Sequence, residues 1–294
     1  MGVANSWKGR LGIDTADPVT KMIEFNTESI KVTETIEDQS GTRGTLSMPD
    51  ARTRITRSYI DGSFETNPTP TELDNLIQLA TGATKVDNTT AMVPMFPIPA
   101  FYATIDREAK VFKYTGNKIE TLSLSANSGG PLKANVTFKG ISESIGNAGT
   151  FPSIAPSETA PYILSDLVMS IGGTNYTVNA FKLDFMNELE MYFANSVTPT
   201  RINQTKLTAV WNLELPYGDA AAIYGASNGS AVVCIATFTN GNVSFKCQSN
   251  LVKAPRETPV IGGNRGELPL TWTGVARIST TYPNIVEFTN DSTP

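Results

Sequence analysis

The chain has 294 residues, 40% hydrophobic and 17% charged, with a formal net charge of −5 and no histidine. That length admits one large β domain or two ordinary domains, and the apolar content excludes general disorder. Net negative charge without a Lys/Arg run excludes a general nucleic-acid binder, and the lack of histidine removes the commonest general base and metal ligand.

The N-terminal "MGVANSWKGRLGIDTADP" has no apolar stretch of the signal-peptide kind, and no apolar run in the chain reaches membrane-spanning length. "MGVANS" matches the myristoylation pattern, but nothing nearby supplies the second signal that stable anchoring needs, so no membrane partner is expected. From Thr35 to Thr53, "TIEDQSGTRGTLSMPDART" mixes Gly, Ser, Pro and both charge signs between two strand-like runs. A loop of this length is either a solvated, mobile segment or a functional one. Its Asp38, Arg43, Asp50 and Arg52, with Arg54 just beyond, suit polar contacts with another subunit.

The stretch "RSYIDGSFETNPTPTELDNLIQLATG" predicts a strand and then a helix over 69–81. Thr69 stands at the N-cap, Pro70 at N1 and Glu72 at N3, which completes a capping box. Leu73, Leu76, Ile77 and Ala80 keep helical spacing and form the docking stripe, and Gly82 stops the helix. Glu72 is therefore a cap, and Asp74 complements the helix dipole.

Beyond the helix, period two dominates. "LKANVTFKG" puts Leu132, Ala134, Val136 and Phe138 on one face, and "KLTAVWNLEL" does the same with Leu207, Ala209, Trp211 and Leu213. Between them, "GNAGTFPSIAPSETAP" (146–161) has the composition of a linker. It divides the chain into a β domain over 1–145 and a second β-rich domain over 162–294, and an old internal duplication is expected. "YTVNAFKLDF" slips register near Asn179 and Ala180, where a bulge is predicted. Further on, Glu188 and Glu190 share one strand face, a spacing that suits a glycosidase pair and equally suits a wet outer face.

A short second helix is predicted over 216–227. In "VVCIATFTNGNVSFKCQS", Asn240-Gly241 predicts a type I′ hairpin in which Phe238 faces Val243, Ala236 faces Phe245 and Cys234 faces Cys247. The two cysteines read either as a disulfide or as two small core residues that meet. "IGGNRG" near residue 261 precedes a strand and so fits a turn. The chain carries no Gly-rich phosphate cradle, no Cys-X-X-Cys, no HEXXH and no GXSXG. No catalytic residue, metal site or cofactor is expected.

The strand "ARTRITRSYIDGSFET", the Pro-initiated helix "PTPTELDNLIQLATG", "VFKYTGNKIETLSLSANSGGPLKANVTFKG" and "VNAFKLDFMNELE" follow one another in an order that is itself informative. Over residues 30–215 this order resembles the major tail tube proteins of long-tailed bacteriophages. The resemblance implies a mainly β fold, an antiparallel β-sandwich or barrel with a flanking helix. It implies copies joined sheet edge to sheet edge in rings, and rings stacked into a tube that carries DNA from capsid to cell without turnover. The extended loop with Asp38, Arg43, Asp50, Arg52 and Arg54 would reach the adjacent ring. An acidic channel wall, with Asp184, Glu188 and Glu190 as candidates, would let DNA slide without specific binding. The implied partners are other copies of the chain, the tape measure and the tail terminator; the implied location is the virion tail, after assembly in the bacterial host cytoplasm.

A single tube domain needs about half of this length. Either an accessory domain has been added or two tube domains are fused, and fusion gives three chains per ring with pseudo-sixfold symmetry instead of six. Composition also suits a tail terminator, connector or decoration protein, and less well a carbohydrate-binding or adhesin-like β-sandwich.

Overall fold

In a computed structural model of the chain, the described residues are 9–38, 53–147, 150–155, 157–218, 223, 229–256 and 268–292. The chain opens with β1 (Arg10–Asp14), β2 (Met22–Ile23), β3 (Thr27–Glu28) and β4 (Lys31–Asp38). After residues 39–52 come β5 (Thr53–Thr66), the helix α1 (Pro70–Thr81), β6 (Phe101–Asp106), β7 (Lys110–Asn127), β8 (Lys133–Gly140) and β9 (Ser142–Asn147). The second half adds β10 (Leu167–Ile171), β11 (Thr174–Tyr176), β12 (Ala180–Tyr192) and β13 (Arg201–Pro216). It ends with β14 (Ala231–Asn240), β15 (Val243–Lys253), β16 (Pro269–Ala276) and β17 (Glu287–Asp291).

Alternation decides which face each strand buries. β8 turns Ala134, Val136 and Phe138 inward, and β13 turns Ala209, Trp211 and Leu213 inward, while the residues between them meet solvent. Buried rings of Phe181, Trp211, Phe238, Phe245 and Phe288 form a chain of edge-on and stacked contacts through the second half. Each such side chain contributes about 1.5–3 kcal/mol by leaving water. The buried apolar residues of both halves belong to one continuous core.

The long strand β7 belongs to two sheets. Its first part pairs with β6 and β9, its second part with β8 and β12. The corner is at Gly116, whose φ of +66° is open to glycine and strained for other residues. Beside it, the fully buried Asn117 donates to the carbonyls of Phe101 and Tyr114, which satisfies backbone groups that the bend takes out of the ladder. One sheet then runs β2–β1–β6–β7–β9; the other runs β4–β5–β8–β7–β12–β13–β16–β15–β14–β10–β11. Every ladder is antiparallel. Among the described residues β4 pairs with β5 alone and β11 with β10 alone, so the expected mainly β, antiparallel fold with a flanking helix is present but the sheet does not close into a barrel.

The ladders recur. In the first half β1 pairs with β2 and β6, β5 with β3–β4 and β8, and β7 with β6, β8 and β9. In the second half β10 pairs with β11 and β14, β13 with β12 and β16, and β15 with β14, β16 and β17. The remaining ladder, β7–β12, joins the halves through the pairs Leu122↔Phe185, Leu124↔Leu183 and Ala126↔Phe181.

A bulge recurs as well. Register slips between Thr35 and Ile36 opposite Arg57 and Ile55, and between Glu188 and Leu189 opposite Lys206 and Gln204. The extra residue is threonine both times. Thr56 Oγ1 donates to the Thr35 carbonyl at 3.3 Å, and Thr205 Oγ1 to the Glu188 carbonyl at 3.1 Å.

Several local expectations are corrected. Thr35–Asp38 is the end of β4, so the loop begins later than composition suggests. Residues 177–179 break the chain between β11 and β12 where a bulge was expected; the bulge of this strand is at Glu188/Leu189. The hairpin loop is Gly241-Asn242, with Gly241 at φ +60° in the first central position, as a type II′ turn requires. Register therefore moves by two: Phe238 faces Phe245, Ala236 faces Cys247, and Cys234 faces Ser249. The faces survive because the shift is even. Both cysteines are free and buried, and desolvation pushes both thiols far above their usual range. Most of the predicted helix 216–227 and the "IGGNRG" turn lie outside the described residues. Within 146–161, Phe151 is buried beneath the Arg10 guanidinium, 4.6 Å from its ring centre.

Candidate assembly surface

α1 is held by its own ends and by both halves. The Thr69 side chain accepts from the Glu72 amide, the Glu72 carboxylate accepts from the Thr69 amide at 2.8 Å, and Pro70 begins the helix. Leu73, Leu76 and Ile77 are fully buried, and Gly82 caps the end in the left-handed conformation. The second Glu72 oxygen accepts from the Glu24 amide at 2.8 Å, so this carboxylate also fixes the chain between β2 and β3.

Asp74 does more than face a dipole. It is buried and accepts from Lys85 Nζ at 2.7 Å, Asn290 Nδ2 at 2.9 Å and Ser292 Oγ at 2.6 Å. Asn290 also donates to the Pro70 carbonyl, which ties the helix start to β17. At the other end of α1, the fully buried Asn187 of β12 donates to the carbonyls of Ala80 and Ile119 and accepts from Gln204 Nε2 at 2.6 Å. These polar pins between the halves escaped sequence reading. A lone Asn at an inward position of an alternating strand is the one signal that could have indicated Asn187.

The β4–β5 hairpin forms an arm beyond the body of the sheet. Glu34, Thr35, Ile36 and Glu37 on one strand and Arg54, Ile55 and Arg57 on the other are exposed, the two isoleucines at 59% and 43%. Asp38 ends β4 opposite Thr53, and Arg54 pairs with Glu37. Arg43, Asp50 and Arg52 lie outside the described residues.

Asp184, Glu188 and Glu190 share the face of β12 that points away from the core. The face is polar and several of its charges are paired: Lys182 meets Asp184 at 2.9 Å, Lys206 meets Glu188 at 2.7 Å, and Lys139 lies between Asp61 and Glu120. Ser123 and Asn212 donate to Asp184 as well. On β7 and β8 the outward positions between such pairs are largely Ser, Thr and Asn: Thr121, Ser123, Ser125, Asn135 and Thr137. Sequence spacing places the acids on one face. Lys182 stands two positions before Asp184 on β12 itself, whereas Lys206 comes from β13.

Among the described residues no group of three or more His, Cys, Asp or Glu side chains could hold a metal, and no helix is long and apolar enough to cross a membrane. What the geometry offers is edges, an arm and a polar face.

A model of the family described as phage tail tube protein matches residues 8–274. The chain belongs to the phage tail tube protein family. No curated protein matches it. As a tail tube protein it is a structural component of the virion tail, which accounts for exposed strand edges that a free monomer normally blunts. The family is one that associates with itself and with other tail proteins.

Proposed function

We propose that the chain polymerises into stacked rings that form the tail tube and conduct DNA into the host, and that each chain supplies two tube units, 1–145 and 162–294. The recurrence of the ladder set, with the same threonine bulge in both halves, carries this reading. Under it, the β7–β12 ladder is an internal copy of the contact between neighbouring chains, and three chains close a ring with pseudo-sixfold symmetry. Repeated head-to-tail contacts of one kind close or propagate according to the rotation between copies.

The arm beyond Asp38 and Arg54, with Arg43, Asp50 and Arg52, contacts the next ring. The polar face with Asp184, Glu188 and Glu190 lines the channel, where the lysines are held by Asp184 and Glu188 and small hydroxyl side chains give a phosphate backbone little to grip. The tape measure inside and the terminator at the end are the further partners, and assembly takes place in the host cytoplasm before the tail joins the virion. Negative-stain microscopy of purified protein tests the central claim. Hollow tubes whose averaged end-on view shows three-fold symmetry with six similar lobes are expected; six chains per turn, or stable monomers, oppose it.

A further inference from the structure

We propose that an apolar groove on the second half is the socket for the β4–β5 arm of a neighbouring copy. The inference rests on the tube reading above and adds the contact that joins copies within a ring.

The first half shows what such a socket looks like when filled. β8 ends at Gly140 and β7 bends away at Gly116, which leaves the flank of β5 open at Arg57–Tyr59. Into that gap folds the turn between β12 and β13. The Ser58 amide donates to the Val197 carbonyl at 2.8 Å, the Arg57 guanidinium lies 5.2 Å from the Phe193 ring centre, and Tyr59 meets the same ring edge-on.

The shared bulge fixes the correspondence between halves. Arg57 matches Lys206, so Ser58 and Tyr59 match Leu207 and Thr208. Leu207 and Thr208 line a groove of about 460 Å³ just past the end of β16, with Phe96, Ile278, Pro283 and Ile285 among its other lining residues. Phe96 and Ile278 are 62% and 63% exposed.

Among the described residues there are two arms and two such positions. The β12–β13 arm fills one. The β4–β5 arm, with Ile36 and Ile55 exposed, is the remaining one. Its described residues do not line the groove of its own chain, and β8, β7 and β12 stand between β5 and β13. Four strand spacings of about 4.8 Å separate them laterally. The occupant is therefore the arm of a second copy. The contact is heterologous, so each copy gives an arm and offers a socket.

Two variants test this, an arm variant with Ile36→Glu and Ile55→Glu and a groove variant with Phe96→Lys and Ile278→Lys. All four positions are exposed, so far-UV circular dichroism and melting are expected to match the wild type. Each variant alone should remain monomeric by size exclusion with light scattering under conditions where the wild type forms tubes. Mixed one to one, the intact arm of the groove variant should enter the intact socket of the arm variant and give a heterodimer. Normal tubes from the groove variant, or a mixture that stays monomeric, would overturn the socket while leaving the tube reading intact. A wild type that forms no tubes would instead remove the reading on which the socket rests.

Discussion

Glu72 shows how one carboxylate can serve three segments. Its two oxygens take the amides of Thr69 and Glu24, so Glu72→Ala leaves two buried donors without partners. A loss of about 2–4 kcal/mol is expected, read as a shift in the urea midpoint. Burial, opposed by these two amides, holds the Glu72 carboxyl above its ordinary value of 4.5. A raised folded-state pKa means that the acid form is favoured on folding. Its contribution is complete below pH 4.5 and is lost as pH rises through the raised value, so the gap between wild type and Glu72→Ala should narrow from pH 4 to pH 7. Asp74 is a second test at this scale. Asp74→Ala leaves the Lys85 ammonium, whose side chain is only 15% exposed, with the Ser292 hydroxyl but no counter-charge, and an uncompensated buried charge costs about 3 kcal/mol. Guanidinium denaturation should find that loss, with Asp74→Asn recovering part of it.

At the scale of elements, the arm is the part whose role separates most cleanly from folding. β4 and β5 hold each other through Asp38 and Thr53, while the body of β5 is held by β8 and the core. Deleting residues 38–50 should leave a chain that melts within a few degrees of wild type and forms rings that no longer stack, visible as isolated discs by negative stain. Tubes of ordinary length from the deleted protein would assign stacking elsewhere. β12 carries the second test. Reversing Asp184, Glu188 and Glu190 to Lys should slow DNA ejection from virions built with the variant, since the face would then attract phosphate; an unchanged rate would mean that another face lines the channel.

For the whole molecule, the order of the strands follows from what each can bury and hold. The period-two segments, the capping box at Thr69 and the helix stop at Gly82 are legible in the residues because each depends on neighbours within a turn or two. So are the faces: Phe238 and Phe245 are inward whichever hairpin loop is chosen, since a slip of two preserves the side. The choice between Asn240-Gly241 and Gly241-Asn242 was not legible, because both offer a favoured turn and the competing registers differ only in how distant β10 and β17 receive the hairpin. Nor were the pins from Asn187 to Ala80 and from Asp74 to Asn290, which span 107 and 216 residues. Spacing placed Lys182 beside Asp184, Glu188 and Glu190 on one face of β12, but only the pairing of β12 with β13 brought Lys206 to Glu188. Local periodicity and capping are short-range chemistry, so the sequence by itself determined a mainly β chain with one flanking helix. Register, sheet order and the recurrence of one ladder set in two halves depend on which surfaces fit across the core, and tertiary structure alone decided those.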